Sequence, residues 1–178
     1  MNGTTSILVA GYGGQGILFA GKVMAYAVLI DGKEVSWLPS YGPEMRGGTA
    51  SCTICLSSEP IASPYIERPD HLVAMNQLSF NKYISMVEKG GIVIYDSDII
   101  NGTMDRDDLQ VFDISAVTLA ESNGMGGLAN MVMTGKLYKE LAFCSFPSLE
   151  ESVRKCVSAT RADLIDLNIR AMQLGAEN

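Results

Sequence analysis

Short apolar runs alternate with helix-like segments along the first part of the chain. The run "TSILVAG" ends at a glycine, and the segment from about Gly14 to Ile30 that follows it is apolar nearly all round, with Lys22 as its single charge. Short continuous apolar runs are typical of buried strands, and a helix that is apolar on every side is deeply packed. "GKEVSWL" then predicts a second strand. Strand, glycine-rich turn, helix and strand in this order predict an α/β sandwich.

The rest of the chain extends this pattern and then changes to helix. "TASCTICLSS" alternates apolar and polar residues, which predicts a strand, and "HLVAM", "GIVIYDSD" and "LQVFDIS" predict three more. "NQLSFNKYISMVEKGG" predicts a helix closed by Gly90. From about Ser115 onward the pattern predicts four helices. We therefore expect one domain over residues 1–178: a three-layer α/β/α sandwich with a mostly parallel or mixed sheet and a helical C-terminal part.

Composition and charge exclude several classes of protein. The 178 residues carry a formal charge of −7, and the 13 Lys and Arg residues form no cluster, so nucleic acid binding through phosphate neutralisation is not expected. The longest apolar stretch, "GILFAGKVMAYAVLI", is interrupted by Lys22 and is too short to span a bilayer. No basic residue precedes the first apolar run, as a signal peptide would require. These features predict a soluble, cytoplasmic protein.

The chain lacks a self-sufficient active site. His71 is its only histidine and opens an apolar run, so we expect a strand-end histidine with satisfied ring nitrogens. Cys52 and Cys55 lie three apart in an alternating strand and therefore face opposite sides of it, which favours core packing over a redox pair. The sequence contains no Walker A motif and no clustered cysteine spacing for an iron–sulfur centre. We expect no metal or cofactor bound by this chain.

Gly11, Gly13 and Gly16 form a G-x-G-x-x-G pattern between the first strand and the first helix. Such glycines allow a tight turn and let a phosphate approach the backbone at a helix N-terminus. A dinucleotide site also needs an acid near the end of the second strand, where positions 36–38 hold Ser, Trp and Leu. Three interpretations stay open: close packing of the first helix on the sheet, contact with an anion or a partner, and an NAD site.

The segment "SWLPSYGPEMRGGTASC", residues 36–52, concentrates residues that control the backbone. Pro39 and Pro43 restrict it, and three glycines free it. In an extended loop, Glu44 and Arg46 would project to the same side. One interpretation is a surface loop with a local ion pair. The other is a loop of fixed shape that presents Arg46 to an anion or to a partner's carboxylate, both of which suit its planar fork.

"GYGGQGILFAGKVMAYAVLIDGKEVSWLPSYGPEMRGGTASC" resembles the γ subunit of the 2-oxoacid:ferredoxin (acceptor) oxidoreductases. The form "SYGPEMRGG" is most similar to the 2-oxoglutarate branch, whereas pyruvate-type γ subunits tend to carry an acid directly followed by Arg. The resemblance continues through "IASPYIERPDHLVAMNQLSFNKY" and "GGIVIYDS", and more faintly through "NMVMTGKLYKEL" to the last helix. The pairing of GxGGQG with YGPEMRGG is far more specific than either motif alone.

The resemblance implies a place in a complex. Such complexes convert a 2-oxoacid, CoA and an oxidised acceptor into acyl-CoA, CO₂ and reduced ferredoxin or a similar carrier. It implies α and β subunits that bind thiamine diphosphate and Mg, iron–sulfur clusters outside this chain, and a ferredoxin-like δ subunit. The γ subunit would be an α/β module near the thiamine site with a part in CoA access. An isolated chain would expose its docking surfaces and could self-associate.

The resemblance also implies which residues form the surface that contacts CoA or the other subunits. By the matching motifs they are Gly11, Gly13, Gly14, Gln15, Gly16, Tyr41, Gly42, Pro43, Glu44, Met45, Arg46, Gly47 and Asn76. A γ subunit of a related pyruvate or other 2-oxoacid oxidoreductase is one alternative. Two functions of other classes also stay open beside the complex subunit. One is a stand-alone oxidoreductase that uses the glycine loop for NAD(P), and the other is a non-catalytic interaction module built on the surface of Trp37 and Tyr41.

Overall fold

The computed structural model describes residues 3–41 and 49–178, and of Tyr41 the backbone only. The strands are β1 (Thr5–Tyr12), β2 (Glu34–Tyr41), β3 (Thr49–Ser57), β4 (His71–Ala74), β5 (Ile92–Asp96) and β6 (Gln110–Ile114). The helices are α1 (Ile17–Ile30), α2 (Gln77–Tyr83), α3 (Ala116–Ser122), α4 (Ala129–Leu141), α5 (Phe146–Cys156) and α6 (Leu164–Glu177). Short 3-10 turns at Ile84–Met86 and Ala159–Arg161 complete the elements of the described ranges.

The strands form one sheet in the order β2-β3-β1-β4-β5-β6. β1, β4, β5 and β6 run parallel, and β3 is antiparallel to both of its neighbours, β1 and β2. The predicted mixed sheet is therefore confirmed. The connection from β1 through α1 reaches β2 at the edge of the sheet, and the chain then returns through β3 to the side of β1.

Helices cover both faces of the sheet. On one face α1 and α4 pack against the strands, α5 packs on α1, and α6 packs on α4 around a large apolar core. On the other face α2 covers a smaller core with Leu72, Phe80 and Val93 at its centre. The predicted α/β/α sandwich with a helical C-terminal part is confirmed. In the described part of the chain, no helix is long and apolar enough to cross a membrane.

Three predicted boundaries were wrong. The first helix begins at Ile17 rather than at Gly14, and β2 continues through Pro39. Proline is compatible with this strand because β2 lies at the edge of the sheet. The helix predicted to reach Gly90 ends at Tyr83.

A distant arginine explains the early end of α2. The Arg106 guanidinium donates to the carbonyl oxygens of Ile84 (3.2 Å) and Val87 (3.1 Å). Val87 itself is extended, with φ −64° and ψ 135°. These carbonyls accept from a side chain that lies far along the sequence, so the local pattern gave no sign of the break.

The two cysteines of β3 face opposite sides of the sheet, as predicted. The Cys52 thiol points to the Ile17 carbonyl oxygen at 3.6 Å, and the Cys55 thiol points to the Pro64 carbonyl oxygen at 3.9 Å. Both are free thiols. Burial raises the pKa of Cys52 to about 12, so this thiol stays protonated and unreactive at neutral pH.

Helices α4 and α6 cross with their backbones in contact. A Cβ added to Gly135 would lie 2.7 Å from the carbonyl carbon of Met172 and still closer to its oxygen, and one added to Gly175 would meet Val132 in the same way. These neighbours are helix backbone and have no rotamer into which to move. Glycine at both positions therefore fixes how close the two helices lie.

We expect Gly135→Ala to lower the free energy of unfolding by about 1–3 kcal/mol, the usual cost of overpacking, although alanine favours an isolated helix. Gly126→Ala is the matched control, because its added Cβ meets nothing closer than 4.0 Å. Urea denaturation of the full chain measures both. Equal stability of the Gly135→Ala variant and the wild type would show that the helices separate without cost.

His71 links the starts of β4 and β5. Its Nδ1 accepts a hydrogen bond from the backbone N–H of Ile92 at 3.0 Å, so neutral imidazole is the form that fits. Burial lowers the pKa of His71 below its ordinary value of 6.5, and the nearby Asp70 opposes this only in part. The prediction of a strand-end histidine with satisfied ring nitrogens is confirmed for Nδ1.

We expect His71 to make the fold acid-sensitive. Its pKa is lowered in the folded chain, so the unfolded chain binds more protons, and stability is lost as the pH falls below 6.5. His71→Asn keeps an acceptor for Ile92 but does not titrate there. Unfolding free energies measured at about pH 7.5 and about pH 5.5 should fall more for the wild type than for this variant. Equal losses would contradict the assignment.

Candidate functional site

The glycine loop and the residues that flank segment 42–48 lie together at the carboxyl ends of β1 and β2, which we call the carboxyl edge of the sheet. Tyr12, at the end of β1, pairs with Thr49 at the start of β3, and the backbone of Tyr41 at the end of β2 pairs with Ala50. The β2–β3 connection therefore leaves the sheet beside the loop that follows β1. Since β1 and β4 are parallel, the end of β4 reaches the same edge.

Gln15 ties the end of β1 to the end of β4. Its Oε1 accepts from the backbone N–H of Tyr12 (2.6 Å), and its Nε2 donates to the carbonyl oxygen of Met75 (2.7 Å). β1 is followed by a helix on one face of the sheet and β4 by a helix on the other, so the crevice between their ends is the point at which α/β folds of this kind take ligands. In this chain a side chain of the loop itself bridges that crevice.

The glycines around Gln15 allow close packing. Gly16 precedes α1 with φ 76°, and a Cβ there would collide with Asn130, whose Cγ would lie 3.0 Å away. Asn130 Nδ2 also donates to the Gly16 carbonyl oxygen at 3.2 Å. A Cβ on Gly11 would lie 2.6 Å from Ile17 Cδ1. Of the interpretations of the G-x-G-x-x-G pattern, this geometry favours close packing, with Gly13 partly exposed and Gly14 exposed in the turn.

Asn76 lies buried at the same edge and caps the helix that follows β4. It is 1% exposed, and its Oδ1 accepts from the backbone N–H of Ser79 at 2.7 Å, which caps α2. Asparagine is a favoured residue for this cap. The structure thus places Asn76 at the predicted edge, but as the start of a helix rather than as an exposed contact.

The remaining predicted site residues lie outside the described residues or are described only in part. Gly42, Pro43, Glu44, Met45, Arg46 and Gly47 are outside them, and of Tyr41 the backbone alone is described. Among the residues that are described, no three His, Cys, Asp or Glu side chains are grouped so that they could hold a metal ion.

Two residues of this edge were missed by the sequence analysis. Asp96 ends β5 and is 0% exposed, and Asn130 lies in the first turn of α4 and is 5% exposed. An acid directly after an apolar strand was a signal that could have identified Asp96. Asn130 gave no such signal, since its contact with Gly16 joins residues 114 positions apart.

Only one of the two oxygens of the Asp96 carboxyl accepts hydrogen bonds from the described residues. Its Oδ1 accepts from the backbone N–H groups of Asp98 and Ala116, each at 3.1 Å, and so caps α3. The N–H of Val117 lies near enough to lower the pKa, yet no described donor reaches Oδ2 in hydrogen-bonding geometry. Burial outweighs these N–H groups and raises the pKa of Asp96.

A cavity of about 280 Å³ opens at this edge, between the glycine loop, the end of β5, α3 and the start of α4. Gln15, Asp96, Glu121 and Asn130 contribute its polar lining. Its described lining contains two carboxyl groups and no Lys, Arg or His. An anion in this cavity would therefore meet negative charge.

The family model for pyruvate ferredoxin/flavodoxin oxidoreductase matches residues 6–178. The chain belongs to this family. The match includes every described strand except the first residue of β1, and it includes both sequence motifs.

Individual relatives agree with this assignment. The chain is 35% identical over 150 residues to the 2-oxoglutarate synthase subunit KorC of Methanocaldococcus jannaschii, covering 83% of this chain and 80% of that one. The γ subunit of a keto/oxoacid ferredoxin oxidoreductase from Geobacter sulfurreducens superposes with a TM-score of 0.86 at 29% identity, over 98% and 95% of the two chains. The resemblance to γ subunits is confirmed.

A further relative is much longer. The ketoisovalerate oxidoreductase subunit VorA of Methanothermobacter marburgensis is 36% identical over 174 residues, which cover 96% of this chain but 36% of the relative. The chain thus spans about a third of that protein, so the same kind of domain also occurs as one part of a longer polypeptide.

We expect Gln15→Leu to lower the free energy of unfolding by about 1–3 kcal/mol, because the change removes both hydrogen bonds of the side chain. Gln15→Glu is the matched comparison, because glutamate keeps an acceptor for the Tyr12 N–H but loses the donor to the Met75 carbonyl oxygen. Amide hydrogen exchange at Tyr12 should accelerate in the Leu variant and stay slow in the Glu variant. Unchanged exchange in the Leu variant would mean that Gln15 does not hold this edge.

Proposed function

We propose that this chain is the γ subunit of a complex that oxidises 2-oxoglutarate. With CoA and an oxidised acceptor, the complex would form succinyl-CoA, CO₂ and the reduced acceptor. The observation that carries the proposal is the strand register, which brings the 11–16 loop and both ends of the "YGPEMRGG" segment to one edge of the sheet. That edge would face the other subunits and the CoA side of a shared active site.

The described chemistry of the chain supports a contributing role rather than independent catalysis. His71 is engaged by Ile92, and Cys52 is buried with a raised pKa, so neither is a free nucleophile or base. In this proposal thiamine diphosphate, Mg and the iron–sulfur clusters belong to α, β and ferredoxin-like δ subunits. This chain itself would bind no cofactor, and electrons would leave to ferredoxin or another acceptor.

Ketoisovalerate is the second candidate substrate. The similarity to VorA is as high as the similarity to KorC, at 36% and 35% identity, and it extends over 96% of this chain. The sequence "SYGPEMRGG" favours the 2-oxoglutarate branch. A non-catalytic interaction module remains the alternative of a different class, and it predicts turnover that is independent of Arg46 once the complex has assembled.

The proposal is tested by anaerobic purification of the tagged chain from its own host. Co-purifying subunits are identified, and CoA-dependent dye reduction is assayed side by side with 2-oxoglutarate, ketoisovalerate and pyruvate. Activity with 2-oxoglutarate above the other two substrates is the expected result. A preference for ketoisovalerate or pyruvate would keep the subunit role and change the substrate. Tight NAD(P) binding by a chain that purifies alone would overturn the proposal.

We expect Arg46→Ala, and in the same direction Glu44→Ala, to reduce turnover or assembly while the chain stays folded. A loss of about tenfold corresponds to one charge-assisted contact. Arg161→Ala is the matched control, because the Arg161 side chain is 60% exposed. Its ion pair with Asp163 is long, with 3.8 Å between Arg161 Nε and Asp163 Oδ1. Unfolding of the isolated Arg46→Ala chain would show instead that the loop is structural.

A further inference from the structure

Two buried side-chain oxygens, in residues that line the cavity at the carboxyl edge, lack a hydrogen-bond donor. They are Asp96 Oδ2 and Asn130 Oδ1, and no described group donates to either. Both residues line the cavity of about 280 Å³, and both are more than nine-tenths buried. A buried acceptor that stays unpaired costs about 1–3 kcal/mol. Two such oxygens beside one cavity indicate an occupant that donates hydrogen bonds.

The charge of the lining narrows the chemistry of that occupant. Asp96 and Glu121 are acidic, and the described lining offers no basic side chain. Phosphate, carboxylate and other anionic groups would be repelled, whereas a cationic nitrogen gains both hydrogen bonds and charge attraction. Burial raises the pKa of Asp96, and no basic side chain of the described lining offsets that rise.

The size of the cavity narrows the occupant further. A volume of about 280 Å³ is far larger than the roughly 30 Å³ of one water molecule. It lies just below the range of about 300–1,000 Å³ that is usual for whole small-molecule ligands. A single long side chain entering from outside fits these limits. The edge at which the cavity opens is the one that the proposed function turns toward the other subunits.

We propose that this cavity receives a lysine or arginine side chain of the adjoining subunit, with its nitrogen donating to Asp96 Oδ2 and Asn130 Oδ1 beside the Glu121 carboxylate. The inference rests on the proposed function, because it needs a partner at this edge. It adds to that function an acidic socket for a basic side chain.

Asp96→Asn and Glu121→Lys test the socket in the assembled complex. Asp96→Asn keeps Oδ1 for the N–H groups of Asp98 and Ala116, so α3 stays capped, but it replaces Oδ2 with a donor. Glu121 is exposed, and its reversal to lysine places positive charge at the cavity without disturbing the core. Glu151→Lys is the control, since it makes the same charge reversal at an exposed position of α5, away from the cavity.

The measurement is the dissociation constant between the labelled chain and the remaining subunits. We expect Asp96→Asn and Glu121→Lys each to weaken assembly at least about tenfold, and Glu151→Lys to leave it unchanged. Wild-type assembly together with unchanged affinity in Glu121→Lys would overturn the socket while the proposed function stands. This holds even if Asp96→Asn were to unfold. A wild-type chain that finds no partner subunits would instead refute the proposed function.

Two further measurements test whether the donor is a side chain of the adjoining subunit, a free amine or Arg46 of this chain. n-Butylammonium and methylguanidinium are titrated into the isolated chain and followed by the amide resonances of Gly14 and Asn130. Binding of either probe, combined with normal assembly of both variants, would assign the cavity to a free amine and overturn the proposal. Non-additive effects of Asp96→Asn and Arg46→Ala on the free energy of unfolding of the isolated chain would indicate that Arg46 of this chain is the donor and would overturn it as well.

Discussion

The antiparallel pairing of β3 with β1 is the constraint on which the rest of the edge depends. It places Thr49 opposite Tyr12, so the segment that begins after Tyr41 has to leave the sheet beside the glycine loop. A parallel third strand would have carried this connection to the opposite edge. With β3 in place, β1 is flanked on both sides and becomes the centre of the site. The glycine loop and the residues on either side of segment 42–48 therefore share this edge, although about 25 residues separate the two motifs in sequence.

The glycine loop shows how one pattern serves two physical purposes. In a dinucleotide-binding protein, glycines leave room for a pyrophosphate at the helix N-terminus. Here the room above Gly16 is taken by Asn130, and the crevice between β1 and β4 is bridged by Gln15. The loop is therefore a packed and internally hydrogen-bonded element. It presents a rigid surface, which suits contact with another protein better than the wrapping of a cofactor.

The parts of the fold that were predictable from the sequence are those set by local periodicity. Strand β3 and the helices after Ser115 appear close to where alternation and helical spacing place them, and no acid lies between Ser36 and Tyr41, where β2 ends. The misplaced end of α2 depends on Arg106, about twenty residues later. Asn130 reaches Gly16 across 114 positions. Contacts of this kind are fixed by tertiary packing, and single-sequence periodicity carries no information about them.

The charges at the carboxyl edge bear on which subunit of a complex would attract the anionic substrates. The described lining of the cavity contributes a buried carboxyl, a second carboxylate and amide groups, and it contains no Lys, Arg or His that would attract CoA phosphates or a 2-oxoacid. Anion attraction at this surface would then have to come from Arg46 or from the other subunits. An acidic recess in this subunit and the Arg46 side chain would give a partner two contacts of opposite sign. Together they would fix orientation, because a partner that matches one of them in the wrong pose meets repulsion at the other.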